Sequence, residues 1–506
     1  MKLDRSSTLY STLLLTGTGL LSQLLGFCYR IALSRMIGSE VMGLYQLVMP
    51  VYYLLLSVVS SGLSTAVSTL SAEYNALHRS HAIRHALSRC LSVFFIMAAA
   101  IGSATALFSD FISVHLLGDA RTQLSLILIA PCLMLTGVEN LHKHVFYGSG
   151  NVRPAALTEL AEQLIRTCAV LGLLALLLPQ YPERIVGIIV CGMIISEIFS
   201  STTLVILLRI HMGRKKSAPS PSAGRIASIA VPVGLTALLN NLMGSATSVM
   251  IPQRLVVGGM AASEAMSAFG VLCGMTVPLL SMPSALMGAM CLIMVPNLTE
   301  SSALGDTGTV HWRLHRELTA TSVIIMPSTA LLVVVGPTLG QLLYKEPTVG
   351  HFMLPLALAL LLTCYQGVLA SALNGINRQS AAARNAIISN ALELILTWYT
   401  VAIPHVGLLG YVLAFLVSAA LGLVLNVISV VRATALPLRW RQWLLAPTVA
   451  ALFSGLWVNL LFRFLQGRAA SPLLSVALCF GLGLTLYLLV LRVQGVRLRK
   501  LFHMGK

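Results

Sequence analysis

Fourteen apolar stretches, each near the length needed to cross a bilayer, follow one another along this chain and leave little between them. They run roughly 9–34, 41–73, 84–108, 122–146, 154–178, 185–208, 226–251, 265–298, 318–335, 351–374, 384–403, 408–431, 443–464 and 472–491. A spanning helix takes about 20 mostly apolar residues, because each residue rises ~1.5 Å through a hydrocarbon layer of ~30 Å. Charged residues make up only 10% of the 506, and mean hydropathy is +0.87. A water-soluble domain carries about 25% charged residues, so this chain has too few to clothe a water-facing surface. Inside hydrocarbon every backbone N–H and C=O must be satisfied within the chain, and runs of this length do so as helices. The expected fold class is an all-α polytopic membrane protein with about fourteen transmembrane helices.

Lysines and arginines set the orientation. With the N-terminus inside, the inner segments hold 24 of the 33 and the outer segments 7, while Arg30 and Arg166 lie within spans. The asymmetry alternates loop after loop, as an even number of spans requires, so both termini are expected in the cytoplasm. The longest hydrophilic connection, "RIHMGRKKSAPSPSAGR" at 209–225, reads as a linker. The net charge of +17 is accounted for by this topology signal. The expected partner is the phospholipid bilayer with its anionic head groups, and no nucleic acid. "MKLDRSS" leads into apolar residues without a cleavage pattern, so the first span is expected to serve as its own insertion signal. The nine cysteines lie in or beside apolar runs with no Cys-x-x-Cys pair, and read as packing residues. No metal and no cofactor are expected.

The chain also repeats at a period of roughly 220 residues. "RMIGSEVMGLYQLVMPVYYLLLSVVSSGLSTAVSTLSAEY" (35–74) and "RLVVGGMAASEAMSAFGVLCGMTVPLLSMPSALMGAMCLIMVPNLTES" (254–301) share a sequence of features. Each has an Arg, a Gly-containing loop, a Ser-Glu pair, an aromatic (Tyr45, Phe269), a Pro, a patch of small residues and a closing Glu (Glu73, Glu300). Asn151 and Asn377 then align in turn-rich connections. Six spans per copy is an even number, so the copies share one orientation and are expected to be related by a pseudo-two-fold axis along the membrane normal. The expected organisation is an N-terminal six-helix bundle (1–211), a cytoplasmic linker (212–224), a C-terminal six-helix bundle (225–436), and two additional helices with a basic tail (437–506). Twin bundles of this kind form transporters, with substrate held at their interface near the midplane.

One span is conspicuously charged. "LTELAEQLIRTC" (157–168) carries Glu159, Glu162, Gln163 and Arg166 inside an apolar run. At about 100° per residue the four fall within a ~100° arc of one helix face. A charge facing lipid costs about 2.5–3.5 kcal/mol at a helix centre, so this arc is expected to meet protein or water. Glu162 and Arg166 are also an i,i+4 acid–base pair. Arg30 lies in the outer part of span 1 with Arg35 beyond it, Glu139 in span 4, Glu197 in span 6, Glu393 in span 11, and Asn240–Asn241 in span 7. Plainer readings stand beside the functional ones. Glu162–Arg166 reads equally as a structural ion pair, Arg35 and Arg254 as cations reaching head groups, and Glu197 and Glu393 as protonated packing groups. Asn240–Asn241 reads as a helix-joining pair, and "SSGLSTAVS" (60–68) and "PSALMGAM" (283–290) as close helix packing.

Missing chemistry narrows the function. The chain has no phosphate-binding loop, no His-Glu-x-x-His and no Gly-x-Ser-x-Gly, so nucleotide hydrolysis and common hydrolytic sites are absent. The acidic residues Glu40, Asp110 and Asp119 of the short outer loops show no constellation in the sequence. "LLSQLLGFCYRIALSRMIGSEVMGLYQLVMPVYYLLLSVVSSGLSTAVSTLSAEY" (20–74) resembles the start of the SpoVB-type oligosaccharide flippases. These belong to the MOP superfamily, with multidrug (MATE) exporters, Wzx-like polysaccharide flippases and MurJ lipid II flippases. The resemblance implies movement of an undecaprenyl-pyrophosphate-linked saccharide, a peptidoglycan precursor in some members and at times linked to sporulation. It also implies a place in the bacterial cytoplasmic membrane. One departure is plain: the MurJ branch follows Leu-Gly-Phe of span 1 with an Arg-Asp pair and has arginines in spans 2 and 8. Here Leu25-Gly26-Phe27 is followed by Cys28-Tyr29-Arg30, and "PVYYLLLSV" and "TVPLLSMPSA" lack Arg.

The expectation is a flippase working by alternating access rather than an enzyme. Arg30 and Arg166 are candidate pyrophosphate-facing cations, Arg35 and Arg254 outer-gate candidates, and Asn240 and Asn241 further substrate-binding candidates. Glu139, Glu159, Glu162, Glu197 and Glu393 are candidates for charge balance or coupling to a cation, H+ or Na+, with the membrane potential as the other driving force. Action as a monomer is expected, with cell-wall synthesis proteins as candidate partners. The alternatives are a MATE-like antiporter exporting drugs or other small molecules, and a polytopic enzyme acting on lipid-linked sugars.

Overall fold

The computed structural model describes residues 8–77, 80–212, 222–467 and 471–495. Among these there is no strand, and each of the fourteen expected spans lies on helix. The helices are α1 (Thr8–Leu56), α2 (Gly62–Ala76), α3 (Ser80–Leu107), α4 (Gln123–Gly148), α5 (Arg153–Leu177), α6 (Ile185–Met212), α7 (Ala223–Val257) and α8 (Ala262–Phe269). They continue as α9 (Ser284–Ala303), α10 (Thr307–Tyr344), α11 (Met353–Gly375), α12 (Gln379–Thr400), α13 (Leu408–Thr434), α14 (Ala446–Gly467) and α15 (Pro472–Val493). Twelve helical stretches among the described residues are long and apolar enough to cross a membrane. The first, Leu14–Ala76, has 63 residues and holds two expected spans. The chain turns inside it at Gly38, whose φ of 75° suits a residue without Cβ. Helix α12, with Arg384 and Glu393, is less apolar than the twelve. The linker segment 213–221 lies outside the described residues.

The chain divides into two compact units. One runs to Gln253 and adds Ala261–Gly270; the other comprises Arg254–Met260 and the chain from Val271. The first unit's core joins Leu63, Val67 and Leu70 of α2, Ile83, Cys90 and Phe94 of α3, and Leu141, Val145 and Phe146 of α4. In a bilayer such packing rests on van der Waals contact and small residues, since lipid tails are as apolar as leucine. Gly62 shows the effect: a Cβ there would lie 2.2 Å from the carbonyl oxygen of Ala230 on α7. The small-residue patch 60–68 therefore brings two backbones together, in line with its packing reading.

The second unit's core gathers Leu298, Leu314, Leu318, Leu369 and Leu373 with Tyr487 and Leu491 of α15. Hydroxyls lock it: Tyr365 donates to Ser322 Oγ at 2.7 Å, and Tyr487 donates to the Ser322 carbonyl at 3.0 Å. Asn385 of α12 donates to Asn426 Oδ1 of α13 at 2.9 Å, and Asn426 donates to the Gln366 carbonyl of α11 at 3.1 Å. Side-chain bonds of this kind between neighbouring helices stabilise packing where lipid offers no partners. Asp306 caps α10, accepting from the Thr309 hydroxyl and backbone N–H, and these bonds hold its carboxyl below the usual range.

Glu40 and Asp119 do form a constellation, because both bind Arg121 Nη2 at 2.7 Å. The guanidinium joins the turn after Gly38 to the turn before α4, two segments 81 residues apart that no local pattern connects.

Candidate functional site

Three helices of the first unit each bring a buried glutamate to one place. Glu139 of α4, Glu162 of α5 and Glu197 of α6 are only 2%, 6% and 2% exposed. An oxygen from each lies within 4.8 Å of the other two. The helical spacing of α5 places Arg166 one turn beyond Glu162, and the guanidinium Nη2 donates to Glu162 Oε1 and, at 2.9 Å, to Glu197 Oε1. Arg166 Nε donates to Ser196 Oγ at 3.3 Å. On α4 the same spacing puts Lys143 Nζ 2.8 Å from Glu139 Oε1, and the ammonium also reaches Glu159 at 3.5 Å. Ser200 donates to Glu139 Oε2 at 3.0 Å.

The electrostatics of this cluster are unbalanced. Four carboxylates (Glu139, Glu159, Glu162, Glu197) face two cations (Lys143, Arg166). Three buried carboxylates so close repel one another unless a proton or a cation lies among them. Glu197 Oε2 shows this deficit: it is buried and receives no hydrogen bond among the described residues. A buried acceptor without a donor costs about 1–3 kcal/mol. A proton shared with a neighbouring carboxylate would satisfy it.

The structure thus brings together Glu139, Glu159, Glu162, Glu197 and Arg166 of the sequence candidates. Gln163, on the same face, approaches Gly26 of α1: a Cβ on Gly26 would meet the Gln163 amide nitrogen at 3.4 Å. Arg30, one turn further along α1, is half-buried, and among the described residues no carboxylate pairs with it. Arg35 is exposed and has a polar partner. The remaining candidates lie apart. Arg254 donates to the Trp398 carbonyl at 3.0 Å and stacks over that indole at 4.2 Å, within the second unit. Asn241 bonds back to Ala237 of its own helix at 3.0 Å, and Asn240 has a polar partner. Glu393 accepts from Ser418 at 3.3 Å in the second unit.

Sequence reasoning missed Lys143, Ser196 and Ser200. Lys143 falls at the inner end of span 4, and its side chain is only 13% exposed and bound to Glu139. Its i,i+4 spacing from Glu139 was the available signal. The two serines carry no signal in sequence, because only the packing of α6 on α4 and α5 gives them partners.

Known proteins share this architecture. A family model described as "Polysaccharide biosynthesis protein" matches residues 9–273. Stage V sporulation protein B of Bacillus subtilis (strain 168) is 22% identical over 456 residues, 88% of each chain. Lipid II flippase MurJ of the same organism is 24% identical over 348 residues, 64% of this chain and 63% of its own. The solved inward-closed structure of lipid II flippase MurJ superposes with a TM-score of 0.71 at 14% identity, covering 97% of this chain and all of that one. At that identity the structural likeness speaks for the fold. The family model extends over more than half of the sequence and includes all three helices that carry the carboxylate cluster, and the chain belongs to the polysaccharide biosynthesis protein family.

Proposed function

We propose that this protein is a flippase that moves an undecaprenyl-pyrophosphate-linked saccharide, lipid II or a related polysaccharide precursor, from the inner to the outer leaflet. The bilayer is the bacterial cytoplasmic membrane, both termini are cytoplasmic, and transport proceeds by alternating access in a monomer. The observation that carries this reading is the likeness to stage V sporulation protein B over 88% of both chains, joined by that to a lipid II flippase. The residues fit the cargo. A pyrophosphate–sugar head group is anionic and polar, and arginine pairs with phosphate oxygens in bidentate fashion. Arg30 is the best placed cation, since no carboxylate occupies it among the described residues. Arg166 is already held by Glu162 and Glu197, so its part is to poise the carboxylates.

Those carboxylates are the proposed coupling site, and the coupling ion is a proton. Two cationic side chains already lie among the oxygens, so a metal ion would have to compete with them. A proton instead fits between Glu197 Oε2 and its neighbours.

The test is transport of radiolabelled lipid-linked precursor in liposomes, with imposed pH or sodium gradients. Arg30→Ala is expected to reduce flipping at least about ten-fold, as loss of a charged phosphate contact does. Glu197→Gln is expected to abolish the response to a pH gradient while a sodium gradient has no effect on either protein. Undiminished flipping by well-folded Arg30→Ala would remove the assigned contact, and a sodium-dependent response would remove the proton.

A further inference from the structure

The second unit holds an apolar cavity that plays no part in the carboxylate cluster. Its volume is about 270 Å³, and it lies between α11, α13 and the segment joining α13 to α14. Val424, Val427 and Ile428 line it from α13, and Leu438, Trp440 and Leu444 from the joining segment. Tyr365 borders it but turns its hydroxyl to Ser322 and the Trp443 carbonyl, so the walls present hydrocarbon. The slot is open at the surface, where Val424, Ile428, Leu438, Trp440 and Leu444 are all exposed. It is also firmly built: Trp443, at its base, is buried and its carbonyl accepts from Ser322 Oγ at 2.6 Å.

Three arginines neighbour the lining residues of α13 and the joining segment, while Glu317, next to the lining Leu318, is already paired with Arg316 at 3.0 Å. Arg432 follows the lining residue Val431, Arg439 stands between Leu438 and Trp440, and Arg441 follows Trp440. All three arginines are exposed, and none forms an ion pair among the described residues. From residue 394 to 506 the sequence contains no Asp or Glu, so this end of the chain supplies no counter-charge of its own. Trp440 is an exposed indole, a side chain that favours the level where hydrocarbon meets head groups. An apolar slot beside unneutralised arginines is complementary to an anionic amphiphile.

We propose that the slot is a binding site for an anionic phospholipid of the bilayer, one acyl chain lying along Val427 and Ile428 and the phosphate meeting Arg432, Arg439 and Arg441. The site is independent of the cargo the protein transports.

Tryptophan quenching tests this directly. The full chain, with Trp312, Trp398 and Trp457 replaced by Phe, keeps Trp440 and Trp443 as reporters and is reconstituted in phosphatidylcholine vesicles containing a minority of phosphatidylglycerol. Bromine on the phosphatidylglycerol chains is expected to quench at least about five-fold more effectively, per mole, than bromine on phosphatidylcholine, the scale of one basic contact to an anionic surface. The preference should fall to unity in R432Q/R439Q/R441Q and persist in R432K/R439K/R441K. Val427→Phe, which fills the slot without touching charge, should also lower it, so the result does not hang on the triple variant folding. Equal quenching by both lipids, or a preference that survives the glutamine variant, overturns the proposal. Displacement of phosphatidylglycerol by an equal mole fraction of undecaprenyl phosphate also overturns it, and assigns the slot to the carrier lipid.

Discussion

Arg166 is the residue on which the buried cluster turns, because it neutralises two glutamates from different helices. Removing one partner of a buried pair leaves the other charge uncompensated, at a cost of about 3–5 kcal/mol. Arg166→Ala is therefore expected to lower stability in detergent by about that amount, read from thermal unfolding of the purified protein. Arg166→Ala combined with Glu197→Gln should recover part of the loss, with a coupling of about 0.5–3 kcal/mol in the double-mutant cycle. Additive losses would mean that the two side chains do not share their charge. The pairing of Glu162 with Arg166 was readable in sequence, since one turn of helix fixes it. The arrival of Glu139 and Glu197 was not. Their separation along the chain says nothing of which faces of α4 and α6 turn toward α5.

At the scale of helices, length and apolarity were readable almost throughout, because hydrocarbon thickness imposes a span length that sequence must meet. Close approaches were harder to read, and Gly62 is the clearest. A larger side chain there drives atoms into Ala230 of α7, and such overpacking costs about 1–3 kcal/mol. Gly62→Val is expected to lower the melting temperature, while Gly172→Val, with no neighbour within 4 Å of its Cβ position, should not for reasons of space. The cap of α10 makes a separate prediction. Asp306 has its carboxyl held low by Thr309, so its contribution is present above the unfolded value of about 3.9 and is lost as pH falls through the lower folded value. Hydrogen exchange at the Thr309 amide should be protected at neutral pH, and that protection should vanish in Asp306→Ala.

For the whole molecule, the sequence repeat predicts like helices in its two copies, but charge does not follow the repeat. Among the described residues, three of the four buried glutamates belong to the first unit's cluster, and the fourth, Glu317, pairs with its neighbour Arg316 at 3.0 Å. The second unit's candidate within a span, Glu393, is half-buried and accepts from the Ser418 hydroxyl. Both halves need a hydrophobic pattern to enter the membrane, whereas each ionisable group at that depth is costly and marks a working position. Proton coupling should accordingly be one-sided. In the liposome assay Glu197→Gln should remove the dependence on a pH gradient, while Glu393→Gln should keep that dependence with flipping reduced by less than about three-fold, on the scale of one modest hydrogen bond. Equal loss of coupling in both variants would place a working carboxylate in each unit and defeat the one-sided account.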